Sequence, residues 1–266
     1  MALHIALFGY PRITQDGQVL EVERRRTAAL LAFLVLTGQP QGRETLAALF
    51  WPDQDASTAR AGLRRELSRL AALTGRERLQ ANRLQAAFVL QPGDRVDVLE
   101  FREAAARAAA HPHSGGALCP DCLKAAGQAV ELYTAGFLTG FGLPDSPGFD
   151  EWQFFEAESL RERLAGALQR LADHYEGAQA YDAALPYARR LLALDPLHEP
   201  AQRRLMRLYA LDGQQAAALR QYQEAVRLLE AELGAEPEAE TQALHQAIRS
   251  RQLGPPEQAS PRIAAG

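Results

Sequence analysis

The feature that most constrains this fold is an internal repeat of 34 residues in the second half of the chain. Side chains of the same type recur at that offset, in the pairs Leu171 and Leu205, Tyr175 and Tyr209, Ala184 and Ala218, and Leu185 and Leu219. This period is typical of stacked helical hairpins, in which each repeat buries its apolar face against a neighbour. The small alanines allow paired helices to approach closely, and the tyrosines fill the space between them. The second half of the chain is therefore predicted to be helical.

Other signals extend this helical part toward the middle of the chain. Pro196 and Pro237 each follow a predicted helix and end it. Three further helices are predicted, over 98–110, 120–136 and 149–174. The expected result is an all-α domain with tetratricopeptide-like repeats over 98–252, which offers a surface for a partner. The Pro-, Ser- and Ala-rich end, 253–266, is predicted to be a disordered tail or linker.

An aromatic cluster stands at the start of the predicted helix 149–174. It consists of Phe149, Trp152, Phe154 and Phe155. Buried aromatic rings dominate the energetics of protein cores, so we expect this cluster to be packed and not to form a ligand pocket.

The first 97 residues have a different order of elements. Alternating apolar residues predict strands at 3–9 and 19–23, with a turn signal at Gln15-Asp16-Gly17. Three helices are predicted to follow, at 27–38, 43–51 and 57–73, and then a β-hairpin within 78–98. Strands, three helices and a hairpin predict a small α+β winged helix-turn-helix domain over 1–97 with an additional N-terminal sheet. The fold class is therefore mainly α, with this domain followed by the helical repeats.

The third predicted helix has two different faces. Ala59, Leu63, Leu67 and Leu70 lie on one side at 100° per residue. The opposite side carries Ser57, Thr58, Ala61, Arg64, Arg65, Ser68 and Arg69. In an isolated helix this would usually be a solvated face. In the third helix of a winged helix-turn-helix it predicts contact with the major groove of DNA, since small residues permit close approach and arginines reach guanine edges or phosphates.

The charge distribution agrees with this assignment. Residues 1–100 carry 13 Arg against 11 Asp and Glu, a net charge of +2, although the whole chain has a net charge of −4. The remainder therefore has a net charge of −6. A weakly basic first part is compatible with a polyanionic partner, and so small a charge also leaves a second hypothesis open. In that alternative the protein is a helical-repeat adaptor whose winged helix contacts proteins.

Several motifs resemble those of a known family. The first part resembles the OmpR-type winged helix of the Streptomyces antibiotic regulatory protein class, through the motifs LFG, RRRTAALLAFL, RETLAALFWPD, ARAGLRRELSRL and VDVLEF. The second part resembles the bacterial transcriptional activation domain of those proteins, through ELYTAGFLTGF, LPDSPGFDEW and ARRLLALDPLHEPAQRRLMRLYALDGQQAAALRQY. The resemblance implies a sequence-specific activator that binds double-stranded DNA, works with RNA polymerase and often forms a homodimer on repeated sites.

The resemblance also implies roles for individual residues. Helix 57–73 is expected in the major groove and the hairpin around Asn82 and Arg83 in the minor groove. Arg43, at the start of the second helix, is a candidate phosphate contact. The triplet at 24–26 is either a further backbone contact or solvated charge.

Two histidines and two cysteines form the one candidate metal site. His111 and His113 are followed by Cys119 and Cys122, which supply the number and types of ligands for tetrahedral zinc. Three interpretations stay open: a structural zinc site, inert cysteines, and a redox Cys-x-x-Cys motif. The redox interpretation is the least favoured, because a βαβ pattern is missing from the sequence.

No other chemistry is indicated. The Walker A, nucleophile-elbow, zinc-protease and dinucleotide-binding patterns are all missing from the sequence, so we expect a protein that is not an enzyme and requires no cofactor. Neither a secretion signal nor a run of about 20 apolar residues occurs in the sequence. We therefore expect a cytoplasmic protein without a membrane partner.

Overall fold

The computed structural model describes residues 2–113 and 116–253. The protein is mainly helical with two small sheets in its N-terminal part, as the fold-class prediction requires. The strands are β1 (Leu3–Ala6), β2 (Arg12–Gln15), β3 (Gln18–Leu20), β4 (Gln41–Gly42), β5 (Leu79–Ala81), β6 (Gln85–Phe88) and β7 (Arg95–Val96). The helices are α1 (Arg25–Thr37), α2 (Arg43–Phe50), α3 (Ala56–Thr74), α4 (Asp97–Ala108), α5 (Pro120–Leu132), α6 (Pro147–Gly177), α7 (Tyr181–Leu194), α8 (Glu199–Leu211), α9 (Gln215–Leu233) and α10 (Ala239–Arg249).

The chain divides into two compact units. The first contains the residues up to 106 together with 128–164, and the second contains 107–127 together with the residues from 165 onward. Helices α4, α5 and α6 therefore each contribute residues to both units. The predicted domain boundary between 97 and 98 coincides with no limit of these units and stays a prediction.

The first sheet has the strand order β3-β2-β1-β7. Its β1 and β7 pair in parallel, and the other pairs are antiparallel. Two carboxylates reinforce the parallel pair from residues adjoining β7. Asp94 Oδ1 accepts the amide N–H of Leu3 at 2.8 Å, and Asp97 accepts those of Leu7 and Phe8 at 2.9 and 3.0 Å. These bonds satisfy backbone donors that a two-residue strand leaves without partners.

The sheet contains one strand more than the sequence predicted. The alternating segments 3–9 and 19–23 were expected to be two strands joined by a turn, but β2 lies between them in the chain. The chain leaves β1 at Gly9, whose φ is +94°, and β2 then turns into β3 through Asp16 and Gly17, with φ of +48° and +84°. Only glycine and a few polar residues adopt this left-handed conformation easily, so the turn signal was correctly read although the preceding strand was missed.

The three predicted helices of this part are present. The predictions 27–38, 43–51 and 57–73 correspond to α1, α2 and α3. Residues 27–36 of α1 are all buried, and Gly38 ends that helix with φ of +63°. Leu63, Leu67 and Leu70 of α3 are also buried, as expected for the apolar face. The helix α3 therefore presents its other side to solvent.

The second sheet has the strand order β4-β6-β5. The antiparallel pair β5 and β6 is the hairpin predicted within 78–98. The two-residue strand β4 pairs with β6 through Gln41 and Ala86, and through Gly42 and Gln85. Because α2 begins immediately after β4, this pairing places the start of α2 beside the hairpin.

All of the repeated residues of the second unit except Leu171 lie in or against one hydrophobic core. Ala184 of α7 and Ala218 of α9 are both fully buried, and they share a hydrophobic cluster with residues of α8 and α10. Pro196 lies between α7 and α8, and Pro237 between α9 and α10. The 34-residue offset therefore marks equivalent core positions of successive hairpins. Leu253, the first residue of the predicted tail, packs against this cluster, and 254–266 lie outside the described residues.

The long helix α6 carries the aromatic cluster. Phe149 is fully buried, and Trp152 contacts Phe33 with ring centroids 5.1 Å apart. Phe154 and Phe155, however, are 60% and 62% exposed, so the packing prediction was wrong for them. Positions 149 and 152 share a helix face, and the next two positions rotate away from it. In the part of the chain that the structure describes, neither α6 nor any other helix combines the length and apolarity needed to cross a membrane.

Candidate nucleic-acid interface and a cluster of metal ligands

An open groove lies where the start of α2, the start of α3 and the β5–β6 hairpin meet. Its volume is about 660 Å³. The lining residues are Arg43, Glu44, Ser57, Arg60, Arg64, Asn82 and Arg83. Four arginines against one glutamate give this groove, hereafter the basic groove, a net charge of +3. Its elements are those that the sequence predicted to face DNA.

The start of α3 is fixed by Asp55. One carboxylate oxygen, Oδ1, accepts the backbone N–H groups of Ser57 and Thr58 at 2.9 and 3.1 Å, and Oδ2 accepts the Thr58 hydroxyl at 2.6 Å. The hydrogen bond from the Thr58 side chain is the main cause that lowers the pKa of Asp55. This is a regular N-cap, which stabilises the first turn of the helix that places Ser57 in the groove.

The hairpin turn is held by residues that were predicted to contact DNA. Asn82 Oδ1 accepts the amide N–H groups of Leu84 and Gln85 at 2.8 and 2.9 Å. Arg43 Nη1 donates to the carbonyl oxygen of Asn82 at 3.1 Å, and the Arg43 amide donates to that of Leu84 at 2.8 Å. The side-chain oxygen of Asn82 is thus used inside the turn. Arg83 and the 81% exposed Leu84 stand at its tip.

The other predicted residues of α3 lie outside the basic groove. Ser68 is exposed and Ala61 half-buried, whereas Arg65 and Arg69 line a second cavity of about 420 Å³. Arg69 forms an ion pair with the buried Glu66, which also accepts the Thr27 hydroxyl at 2.5 Å. Arg69 therefore supports the contact between α3 and α1 through Glu66.

The second cavity also receives the arginine triplet at 24–26. Arg26 lies over the ring of Trp51, 5.5 Å from its centroid, and donates to the carbonyl oxygen of Phe50 at 3.2 Å. Arg25 donates to the carbonyl oxygen of Gly142 at 3.4 Å. The sequence left two interpretations of the triplet, a contact with the DNA backbone or solvated charge. Neither describes Arg26 well, because its side chain packs on the end of α2.

One residue of the basic groove was not predicted from the sequence. Arg60 precedes Arg64 by one helical turn and follows Ser57 by three residues, so periodicity alone would have placed it on the same face. It forms an exposed ion pair with Glu44 at 3.3 Å. Such a pair is worth little in water and leaves the guanidinium available to a phosphate.

The four predicted metal ligands lie together in the second unit. One ligand atom from each of His111, His113, Cys119 and Cys122 can be chosen so that all lie within 4.8 Å of one another. Cys122 is buried, and both cysteines are free thiols.

Comparison with known proteins finds similar proteins over most of the chain. A family model described as "Bacterial transcriptional activator domain" matches residues 96–249, which is more than half of the chain. Regulatory protein AfsR of Streptomyces coelicolor is 29% identical over 254 residues. That match covers 93% of this chain but only 24% of AfsR, so the chain spans about a quarter of that relative's length.

A solved structure has the same fold. Mycobacterium tuberculosis EmbR, in complex with a low-affinity phosphopeptide, aligns with a TM-score of 0.66 over 96% of this chain and 66% of that one. The sequences are 21% identical, so this likeness concerns the fold.

Proposed function

Because the chain belongs to the bacterial transcriptional activator domain family, we propose that it is a transcription regulator that binds specific double-stranded DNA sequences. In this proposal residues 1–97 form a winged helix-turn-helix domain. The helix α3 enters the major groove and the β5–β6 hairpin contacts the adjacent minor groove. The helical residues 98–252 form the activation domain with tetratricopeptide-like repeats.

The observation that carries this proposal is the basic groove. Its four arginines come from three separate elements, α2, α3 and the hairpin, and converge on one open surface. A surface that must follow the phosphates on both sides of a DNA groove needs charge from separated elements. A face that only provides solubility has no need for such convergence.

The position of each side chain suggests its role. Arg43, at the start of α2, and Arg60, one turn into α3, are suited to phosphate contacts because helix N-termini also favour anions. Arg64 lies further along α3 on the same face, where a guanidinium can donate two hydrogen bonds to a guanine edge. Ser57 is small enough to let the first turn approach the bases. Arg83, at the tip of the hairpin, is assigned to the minor groove.

The activation step belongs to the same proposal. The family description, a bacterial transcriptional activator domain, supports an activating role. We propose further that the protein contacts RNA polymerase in the cytoplasm and acts as a homodimer on repeated sites. The exposed faces of the helical hairpins offer the surface for these protein contacts.

The experiment is a selection of genomic DNA fragments by the purified protein, followed by sequencing. The wild type is compared with Arg64→Ala in the basic groove and with Arg12→Ala, an exposed arginine of β2 outside it. We expect a recurrent motif with the wild type and Arg12→Ala, and its loss or relaxation with Arg64→Ala. Retention of fragments without any motif, unchanged in Arg64→Ala, would contradict the proposal and favour the protein-contact adaptor.

A further inference from the structure

We infer that His111, His113, Cys119 and Cys122 form a tetrahedral zinc site that stabilises the second unit. The inference does not depend on DNA binding, because none of these residues belongs to the basic groove. It concerns a ligand set of two imidazoles and two thiols, which is one of the standard sets for structural zinc.

The distances between the side chains agree with this geometry. Around tetrahedral zinc, with bonds of roughly 2.0–2.3 Å, neighbouring ligand atoms lie roughly 3.3–3.8 Å apart. The Cys119 Sγ to His111 Nε2 distance is 3.5 Å, and the Cys122 Sγ to His111 Nε2 distance is 3.8 Å. The rings of His111 and His113 have centroids 4.5 Å apart. Small rotations would bring all four ligand atoms onto one ion.

The backbone positions both thiols at the start of α5. Cys119 immediately precedes the helix, and its carbonyl oxygen accepts the amide N–H of Leu123 at 2.9 Å. Cys122 is the third residue of the helix, so both thiols project toward the same side of its first turn. Pro120 between them is well tolerated at the first helical position.

A second observation points to a missing ligand. The Nε2 atom of His113 is buried and makes no hydrogen bond with any residue that the structure describes. A buried polar atom without a partner costs free energy, and such atoms are uncommon in folded proteins. Coordination to a metal ion would satisfy this nitrogen.

The contacts around the cluster suggest what the metal does. The Cys122 thiol lies 3.6 Å from the carbonyl oxygen of Arg107, and the amide of Leu118 donates to His174 Nδ1 at 3.1 Å. Zinc would join the segment 107–113 to the start of α5. Four protein ligands complete the tetrahedron and leave no open position for a substrate, which distinguishes a structural site from a catalytic one. Mixed imidazole and thiolate ligands in tetrahedral geometry favour Zn²⁺ over Mg²⁺ or Ca²⁺.

The test begins with the full-length protein purified without an affinity tag that binds metal. We expect about one zinc ion per chain by elemental analysis. After removal of the metal under reducing conditions, Co²⁺ should give the intense visible bands of tetrahedral coordination and a thiolate charge-transfer band. Addition of Zn²⁺ should abolish these bands and raise the melting temperature.

Variants distinguish specific ligation from adventitious binding. Cys119→Ser and His113→Gln should each lose stoichiometric zinc and the tetrahedral cobalt spectrum, whereas His4→Gln, in β1, should retain both. The wild-type cobalt spectrum keeps the test decisive if a variant fails to fold. An octahedral spectrum, zinc well below one per chain after reconstitution, or a Cys119–Cys122 disulfide that forms in the presence of zinc would overturn the inference.

Discussion

Arg64 and Arg65 are neighbours in the sequence, but they line different cavities. A helix rotates by about 100° per residue, so consecutive side chains diverge. Arg64 lies in the basic groove beside the hairpin, whereas Arg65 lies in the cavity that contains the arginine triplet. The sequence grouped them because both are exposed and basic. Under the proposed function, only Arg64 lies where it could reach a base, because the hairpin and α2 lie beside it, and those contacts are not local in sequence.

Gly62 shows a second constraint on α3 at the level of one residue. A Cβ atom at this position would lie 2.8 Å from Cε2 and 3.0 Å from Nε1 of Trp51. Alanine normally stabilises a helix relative to glycine by about 1 kcal/mol. Here the rigid indole would have to move off Arg26, so we expect Gly62→Ala to destabilise the protein by about 1 kcal/mol or more in denaturant unfolding.

Gly127 provides the matched control for that substitution. It lies inside α5, and a Cβ atom there would meet no heavy atom within 4 Å. Gly127→Ala should therefore stabilise the protein by roughly 0.5–1 kcal/mol. If both variants shifted the free energy of unfolding in the same direction, the contact with Trp51 would not be what disfavours a side chain at position 62.

The carboxylate of Asp94 makes the stability of the protein depend on pH in the acid range. Burial alone would raise its pKa, but hydrogen bonds from Arg78 and from the amides of Leu3 and Gln91 outweigh it and lower the pKa from 3.8 to about 2. The folded pKa is therefore below the unfolded one. This contribution to stability is complete above about pH 4 and is lost as the pH falls toward 2. A shift from 3.8 to about 2 corresponds to about 2 kcal/mol, since one pKa unit is worth about 1.4 kcal/mol.

The measurement is unfolding by denaturant over this pH range, with Asp94→Asn as the variant. The variant should be less stable at neutral pH, since Asn offers Arg78 only one acceptor oxygen in place of two and carries no charge, and should lose less stability on acidification. Asp53→Asn, at an exposed position, should stay within about 0.5 kcal/mol of wild type at neutral pH. An unchanged acid dependence in Asp94→Asn would mean that other carboxylates account for it.

At the scale of elements, the order of the helices could be predicted from the sequence. The strands and their pairing could be predicted only in part. The helices α1, α2 and α3 follow from apolar periodicity and from stop signals such as Gly38. The two-residue strands β4 and β7 are too short to show an alternating pattern, and β2 was missed although it is as long as β1. The parallel pairing of β1 with β7 joins residues about 90 positions apart, and it depends on the carboxylates of Asp94 and Asp97. Periodicity does not contain that information.

The N-cap of α3 links element stability to the proposed function. Asp55 accepts three hydrogen bonds from Ser57 and Thr58, and it begins the helix that would enter the major groove. Asp55→Ala should lower the melting temperature and weaken DNA binding, because the first turn frays. Asp55→Asn retains an N-cap acceptor and should restore most of both. Equal DNA affinity in wild type and Asp55→Ala would show that the first turn of α3 does not contribute.

At the scale of the whole molecule, the repeat predicted the helical core, but not how the chain divides. Ala184 and Ala218 occupy equivalent buried positions because the hairpins stack regularly. The grouping of 128–164 with the residues up to 106 depends on contacts such as that between Trp152 and Phe33, far apart in sequence. The basic groove was likewise predictable in its residue types. Arg60 could have been added from helical periodicity, whereas the separation of Arg65 from Arg64 required the structure.

The most direct test of the proposed function measures how tightly the wild type and the variants bind the selected DNA site. The same affinities are measured for sites with a single base pair changed, and for the original site over a series of salt concentrations. Arg64→Ala should lose about 1–3 kcal/mol and its preference at one base pair. Arg43→Ala should weaken binding to all sequences alike and reduce the slope of log K against log salt by about 0.9. Unchanged affinity and base preference in Arg64→Ala would contradict the assignment of α3 to the major groove.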